Sequence, residues 1–147
     1  INDPNGLIYR ISTLPVGSTA KMTVLRRGRE QTFSIRLVPP PENPKRDQQK
    51  IQGRNPLSGA IVANMSPALA DELRAPGPFS PGVYALAIRR GTHASRLGFK
   101  PGDRVEVING VKIDLVSVLQ QQLKTRPQGW SIAIRRGGQT LRLELDG

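Results

Sequence analysis

The sequence predicts a mainly β fold with helices, built as one full module preceded by the last part of a second. Two observations carry this. Alternating apolar runs close on glycine-containing turns, the pattern of β-hairpins. The end of the chain also repeats its beginning: a helix, a Pro-x-Gly turn and a hairpin recur, so Pro15-Val16-Gly17 answers Pro127-Gln128-Gly129 and Leu25-Arg26-Arg27-Gly28 answers Ile134-Arg135-Arg136-Gly137. Leu7 and Ile11 fall opposite Leu119 and Leu123 in the same comparison.

In chain order, DPNGLIYRISTLPVGS predicts a short helix, with Leu7 and Ile11 four residues apart on one face. KMTVLRRGREQTFSIRLV then alternates and turns at Arg27-Gly28. Residues 39–55, PPPENPKRDQQKIQGRN, hold four prolines, many charges and a single aliphatic residue, Ile51; they read as a polar linker stiffened by proline. A strand over Ala60–Asn64 follows, then a helix from Ser66 to about Leu73, with Ser66 as N-cap and Pro67 at the first helical position. APGPFSPG is a loop and GVYALAI, 82–88, a strand. THASRLG predicts one helical turn capped by Thr92 and left through Gly98. KPGDRVEVING gives a turn, a strand to about Ile108 and an Asn109-Gly110 hairpin turn. IDLVSVLQQQLKTRP is the longest helix, starting at Asp114 as N-cap, and WSIAIRRGGQTLRLEL closes the chain with a hairpin. The expected organisation is 1–38 as the C-terminal part of a first module, 39–55 as linker and 56–147 as a complete second module. A chain opening at Ile1 rather than Met is what an excised fragment would show.

Composition narrows the chemistry. With 37% hydrophobic and 22% charged residues over 147 positions, the chain fits a globular protein rather than a disordered one. It has no cysteine, which excludes disulfides, thiol catalysis and zinc–thiolate sites. The net charge of +11 is spread along the chain, and aromatic residues make up only 4%, so no stacking platform for single strands is grouped among the basic residues. No nucleic acid is expected as a partner. The one histidine, His93, reads as a partly exposed turn residue, since a hydrolytic triad needs a nucleophile and an orienting carboxylate set around its base. The sequence carries no Gly-x-Ser-x-Gly setting for a nucleophile. No catalytic residue, metal ligand or cofactor is expected in this chain.

The element order and the stretch RRGTHASRLGFKPGDRVEVINGVKI, 89–113, resemble a PDZ domain in the permuted order of bacterial modules. Two such modules joined by a polar, proline-containing segment resemble the C-terminal half of Do-like (HtrA, DegP-type) serine proteases, and NPLSGAIVANMS is similar to the opening of that family's second PDZ domain. The resemblance implies a PDZ-like partly open β-barrel or sandwich capped by two helices. It also implies a periplasmic location, a role in protein quality control, and a trypsin-like protease domain in the parent protein. The implied partners are unfolded or C-terminal peptide segments, the protein's own protease domain and further copies of itself in a homo-oligomer.

PDZ modules bind by β-augmentation, in which an extended peptide adds to a sheet edge beside a helix. Leu57, Ser58, Gly59 and Ala60 would form the carboxylate loop, with Ser58 where the family has an apolar residue and Ala60 smaller than usual. Gly59 either turns N–H groups toward an anion or merely permits a turn into the strand; the resemblance favours the loop. Ala60, Ile61, Val62, Ala63 and Asn64 would be a receiving edge, uncharged along its length, although such a strand can also be covered by another segment. In the helix, Val116, Leu119 and Leu123 would face the core while Leu115, Val118 and Gln122 line the groove. The arginine pairs 26–27, 89–90 and 135–136 read as solvated strand ends, and Trp130 as core or subunit packing. Two alternatives remain: an assembly-only module with a closed groove, and a basic nucleic-acid-binding β-domain.

Overall fold

The computed structural model describes residues 19–36 and 38–147. The helix expected around Leu7 and Ile11 lies outside the described residues. The chain divides into two compact units, Ile1–Pro40 and Pro41–Gly147.

The described part of the first unit is a hairpin. Strands β1 (Thr19–Arg26) and β2 (Arg29–Arg36) pair antiparallel from Thr19↔Arg36 to Arg26↔Arg29. Arg27 and Gly28 both take positive φ, +52° and +73°, the geometry that matches the twist of a two-residue hairpin.

The second unit carries β3 (Gln49–Lys50), β4 (Ala60–Asn64), helix α1 (Pro67–Glu72), β5 (Val83–Ile88), the one-turn α2 (His93–Arg96), β6 (Arg104–Ile108), β7 (Val111–Lys112), α3 (Val116–Lys124), β8 (Gly129–Arg136) and β9 (Gln139–Asp146). The sheet runs β3-β4-β5-β6-β8-β9, with β7 paired to β6. Its main core gathers Leu57, Ala60 and Val62 before and on β4, Val105 and Ile108 on β6, Val116, Leu119 and Leu123 on α3, and Trp130, Ile132 and Ile134 on β8. Alternation places Ala63 in a second cluster, with Met65 and Leu69.

Local signals placed most elements. The Ser66 hydroxyl accepts the Leu69 N–H at 3.1 Å, closing the α1 cap. Gly98 leaves α2 at φ +85°, and Asn109-Gly110 turn with positive φ between β6 and β7. Four expectations are corrected. Thr92 stands at the N-cap of α2, but its hydroxyl donates back to the Arg89 carbonyl and caps nothing. Helix α3 starts one residue later than predicted, with Leu115 at its N-cap; Asp114 gives no cap, and the Val116 N–H donates instead to Asn64 Oδ1 at 2.8 Å. That cap comes from 52 residues away, which no local pattern reveals.

The third correction concerns residues 41–55. Proline and charge suggested a linker, yet this stretch belongs to the second unit, and Ile51 is 5% exposed within its main core. One aliphatic side chain and a run of backbone hydrogen bonds are enough to seat it.

The Gly-Asp element is also more than a turn. Asp103 is fully buried; its Oδ2 accepts the Lys100 N–H at 2.8 Å, and both carboxylate oxygens accept from Arg136 at 2.7 Å. The same guanidinium donates to the Gly98 carbonyl. Its hydrogen bonds with Asp103 hold the Arg136 group above its ordinary pKa, against the opposing effect of desolvation. Arg135 pairs with Glu106 at 3.0 Å. Arg136 is thus structural rather than a solvated strand end, whereas Arg135, Arg89 and Arg90 are exposed as expected.

Candidate functional site

Strand β4 is the floor of the site, and its two edges differ. One edge pairs with β5, with a register irregularity between Ile61 and Val62. The other edge, expected to be free, is occupied by the chain itself. Residues 45–51 run antiparallel along it: Gln49 stands opposite Val62 and Lys50 opposite Ile61. The contact extends past this short ladder at both ends. The Asn64 N–H donates to the Arg46 carbonyl at 2.8 Å, the Ile51 N–H to the Ala60 carbonyl at 2.8 Å, and the Gly59 N–H to the Ile51 carbonyl at 2.9 Å. Asp47, at φ +41°, takes up the extra residue between Arg46 and Gln49, as a bulge does.

Three further attachments hold this strap. The Ile51 side chain enters the main core, a burial that contributes about 1.5–3 kcal/mol. Asn64 donates from Nδ2 to the Lys45 carbonyl while its Oδ1 caps α3, so one side chain joins strap, floor and helix. Arg46 donates to Glu42 and to Glu72 of α1, both at 2.9 Å, and the Ala68 N–H donates to the Pro41 carbonyl. The hydrogen bond from Arg46 is the main reason the Glu42 carboxyl sits below its ordinary value of 4.5, so the clamp is charged at neutral pH. These ion pairs are exposed and each contributes little; the backbone ladder and Ile51 carry most of the attachment.

The predicted loop is built, but its amides are committed. Leu57 N–H donates to Asn55 Oδ1, Ser58 N–H to the Asn55 carbonyl, Gly59 N–H to Ile51 and Ala60 N–H to the Leu57 carbonyl. Asn55 is itself 7% exposed and donates from Nδ2 to the Gln52 carbonyl, which fixes its orientation. Gly59 sits at φ +97°, and a Cβ there would run into the Thr92 side chain, so conformation and space both require glycine. The Ser58 carbonyl accepts from Ala94 and the Gly59 carbonyl from Arg89, which anchors the loop to the α2 turn.

The remaining predicted residues divide. Leu57, Ala60 and Val62 are fully buried in the main core and Ala63 in the second cluster, so these positions offer a partner only backbone; Ile61 is half-buried. On α3, Val116, Leu119 and Leu123 face the core as predicted. Val118 is half-buried against that core, Leu115 is 39% exposed and Gln122 is half-buried. His93 is exposed. A hollow of about 110 Å³ lined by Leu97, Phe99, Ile134, Leu141 and Leu143 touches none of the predicted site residues. Among the described residues no group of three or more His, Cys, Asp or Glu could hold a metal ion. Sequence reasoning missed Ile51 and Asn55, and placed Asn64 on the receiving edge without its roles as helix cap and strap anchor. The signal for Ile51 was its standing as the lone aliphatic residue of a polar stretch.

An edge strand carrying an antiparallel segment, a glycine loop at its start and a helix beginning at its end form the groove plan of PDZ modules. Comparison with known proteins agrees. The HtrA-type protease AlgW, solved with a decapeptide, shares 28% identity at a TM-score of 0.51 over 60% of this chain and 27% of its own. The PDZ domain of HtrA3 bound to a phage-derived ligand, FGRWV, gives the same identity, TM-score and coverage of this chain, with 81% of its own length matched. The chain is similar in fold and sequence to HtrA-type PDZ domains. In sequence, a probable periplasmic serine endoprotease of the DegP-like type from a Marinomonas species is 30% identical over 129 residues, 88% of this chain. The periplasmic serine endoprotease DegP of Escherichia coli is 25% identical over 134 residues, 91% of this chain. The chain spans about a quarter of the length of these relatives, 26% and 25%. No family model matches it. The homologues are periplasmic by name, which supports a periplasmic location by family resemblance.

Proposed function

We propose that this chain is the tandem PDZ region of a Do-like periplasmic serine endopeptidase. Its second unit binds unfolded or C-terminal segments by β-augmentation and passes them to a trypsin-like protease domain, in envelope protein quality control. Residues 1–38 are then the closing part of a first PDZ domain, and the region also aids oligomer assembly. The observation that carries this reading is the extended segment already seated antiparallel on the outer edge of β4, with a loop N–H on its carbonyl at the end. The two neighbouring HtrA structures were solved with peptides, which supports a peptide partner here.

A second reading, an assembly module whose groove stays closed, is favoured by the full commitment of the loop amides. The test is titration of the chain with a fluorescent unfolded-protein peptide at roughly 0.3 M salt, a concentration that screens exposed charges. Saturable binding that survives the salt is expected. Absent peptide binding together with concentration-dependent self-association would instead establish the closed module. Steep salt dependence with oligonucleotides in its place would establish a nucleic-acid binder.

A further inference from the structure

We propose that residues 45–51 are a built-in ligand of the β4 groove, exchanged for an extended segment that places an aliphatic side chain where Ile51 sits and continues beyond it. This rests on the β-augmentation reading above and specifies the ligand and its regulation.

Three observations lead here. First, the strap uses the complete edge, from Asn64–Arg46 at one end to Gly59–Ile51 at the other, so no second strand can pair with β4 until it leaves. Second, its anchor is a single aliphatic side chain, Ile51, while Gln48, Lys50 and Gln52 around it are exposed. A replacement must fill that volume or leave a cavity in the main core. Third, departure of the strap frees only one loop donor, the Gly59 N–H. The Leu57, Ser58 and Ala60 amides are held by Asn55 and by Leu57 itself, none of which belongs to the strap. A terminal carboxylate needs two or three convergent donors to be held well; a backbone carbonyl needs one. The freed site therefore matches the carbonyl of a continuing chain, as Ile51 itself shows.

A groove filled from within has its apparent affinity reduced by the fraction of time it is open. Loosening the strap must therefore tighten binding of an added peptide. The exposed Arg46 clamp and the buried Ile51 anchor allow two independent ways to loosen it. Only the second touches the core.

The experiment uses the full chain, its Arg46→Ala and Ile51→Ala variants, and two fluorescent peptides of the strap's own sequence. One runs from Lys45 to Gly53 with an amidated end; the other stops at Ile51 with a free carboxylate. Anisotropy reads binding, and amide exchange at Gly59 and Asn64 reads strap opening. The expected result is binding about tenfold tighter to Ile51→Ala than to the parent chain and a few-fold tighter to Arg46→Ala. The longer, amidated peptide is expected to bind at least as well as the shorter acid. Equal affinity across the three proteins would overturn the built-in ligand while leaving the groove reading intact. A tenfold preference for the free acid would overturn the continuing-chain specificity. Absent binding with accelerated exchange in the variants would show that the opened groove takes no peptide, and the β-augmentation reading would fall first. Absent binding with unchanged exchange would show that neither residue holds the strap, and would overturn the proposal.

Discussion

Truncating Arg136 to alanine is expected to lower the unfolding free energy by about 3–5 kcal/mol, the cost of leaving a buried charge without its partner. The large effect follows from which partner remains. Asp103 has no exposed surface, and the variant leaves its carboxylate only the Lys100 N–H. The Gly98 carbonyl loses its donor in the same step. Arg136→Lys is expected to recover only part of the loss, because an ammonium cannot reproduce the paired Nε and Nη2 bonds to the two carboxylate oxygens. Urea denaturation of the parent and both variants measures this. A loss below about 1 kcal/mol for Arg136→Ala would place the pair among ordinary surface ion pairs.

Gly59→Ala is expected to cost about 2–4 kcal/mol, from a strained positive φ and from overpacking against Thr92. The two causes separate in a double-mutant cycle with Thr92→Gly, which removes the obstructing side chain and leaves the backbone strain. A coupling of about 1 kcal/mol or more is expected between the two positions. Strict additivity would mean that the loop does not approach the α2 turn as closely as the structure places it. The same substitution should weaken the strap, since the Gly59 N–H is its last hydrogen bond.

Much of the second unit was legible because its signals are local. Asn109-Gly110 and Gly137-Gly138 need positive φ, and the chain turns at both. Ser66-Pro67 starts a helix, and the apolar run at 60–64 is the strand with the predicted bounds. Helical periodicity correctly divided Val116, Leu119 and Leu123 from Leu115. The failures share a different cause. Asp114 looked like a cap because it precedes the helix, but the cap is Asn64, brought there only by folding. Arg136 looked solvated because its acidic partner, Asp103, lies 33 residues away in sequence.

The strap is the most instructive case. Pairing along a strand edge is made by backbone groups that every residue except proline carries in full, so the neighbouring prolines and the charges hid it and only Ile51 betrayed it. The uncharged edge at 60–64 suggested a strand kept open for a partner. Its absence of charge has the same physical meaning when the partner is part of the same chain.

The central claim, that β4 carries residues 45–51 on its outer edge, is tested most directly by amide hydrogen exchange of the full chain at Ile51, Gly59 and Asn64. All three N–H groups donate across the strap contact, to Ala60, Ile51 and Arg46 respectively. They are expected to be protected together and to open in one step, since a single segment covers or exposes them. Unprotected exchange at all three while the Ala85 amide, bonded to the Asp103 carbonyl inside the unit, stays protected would show an open edge and contradict the account.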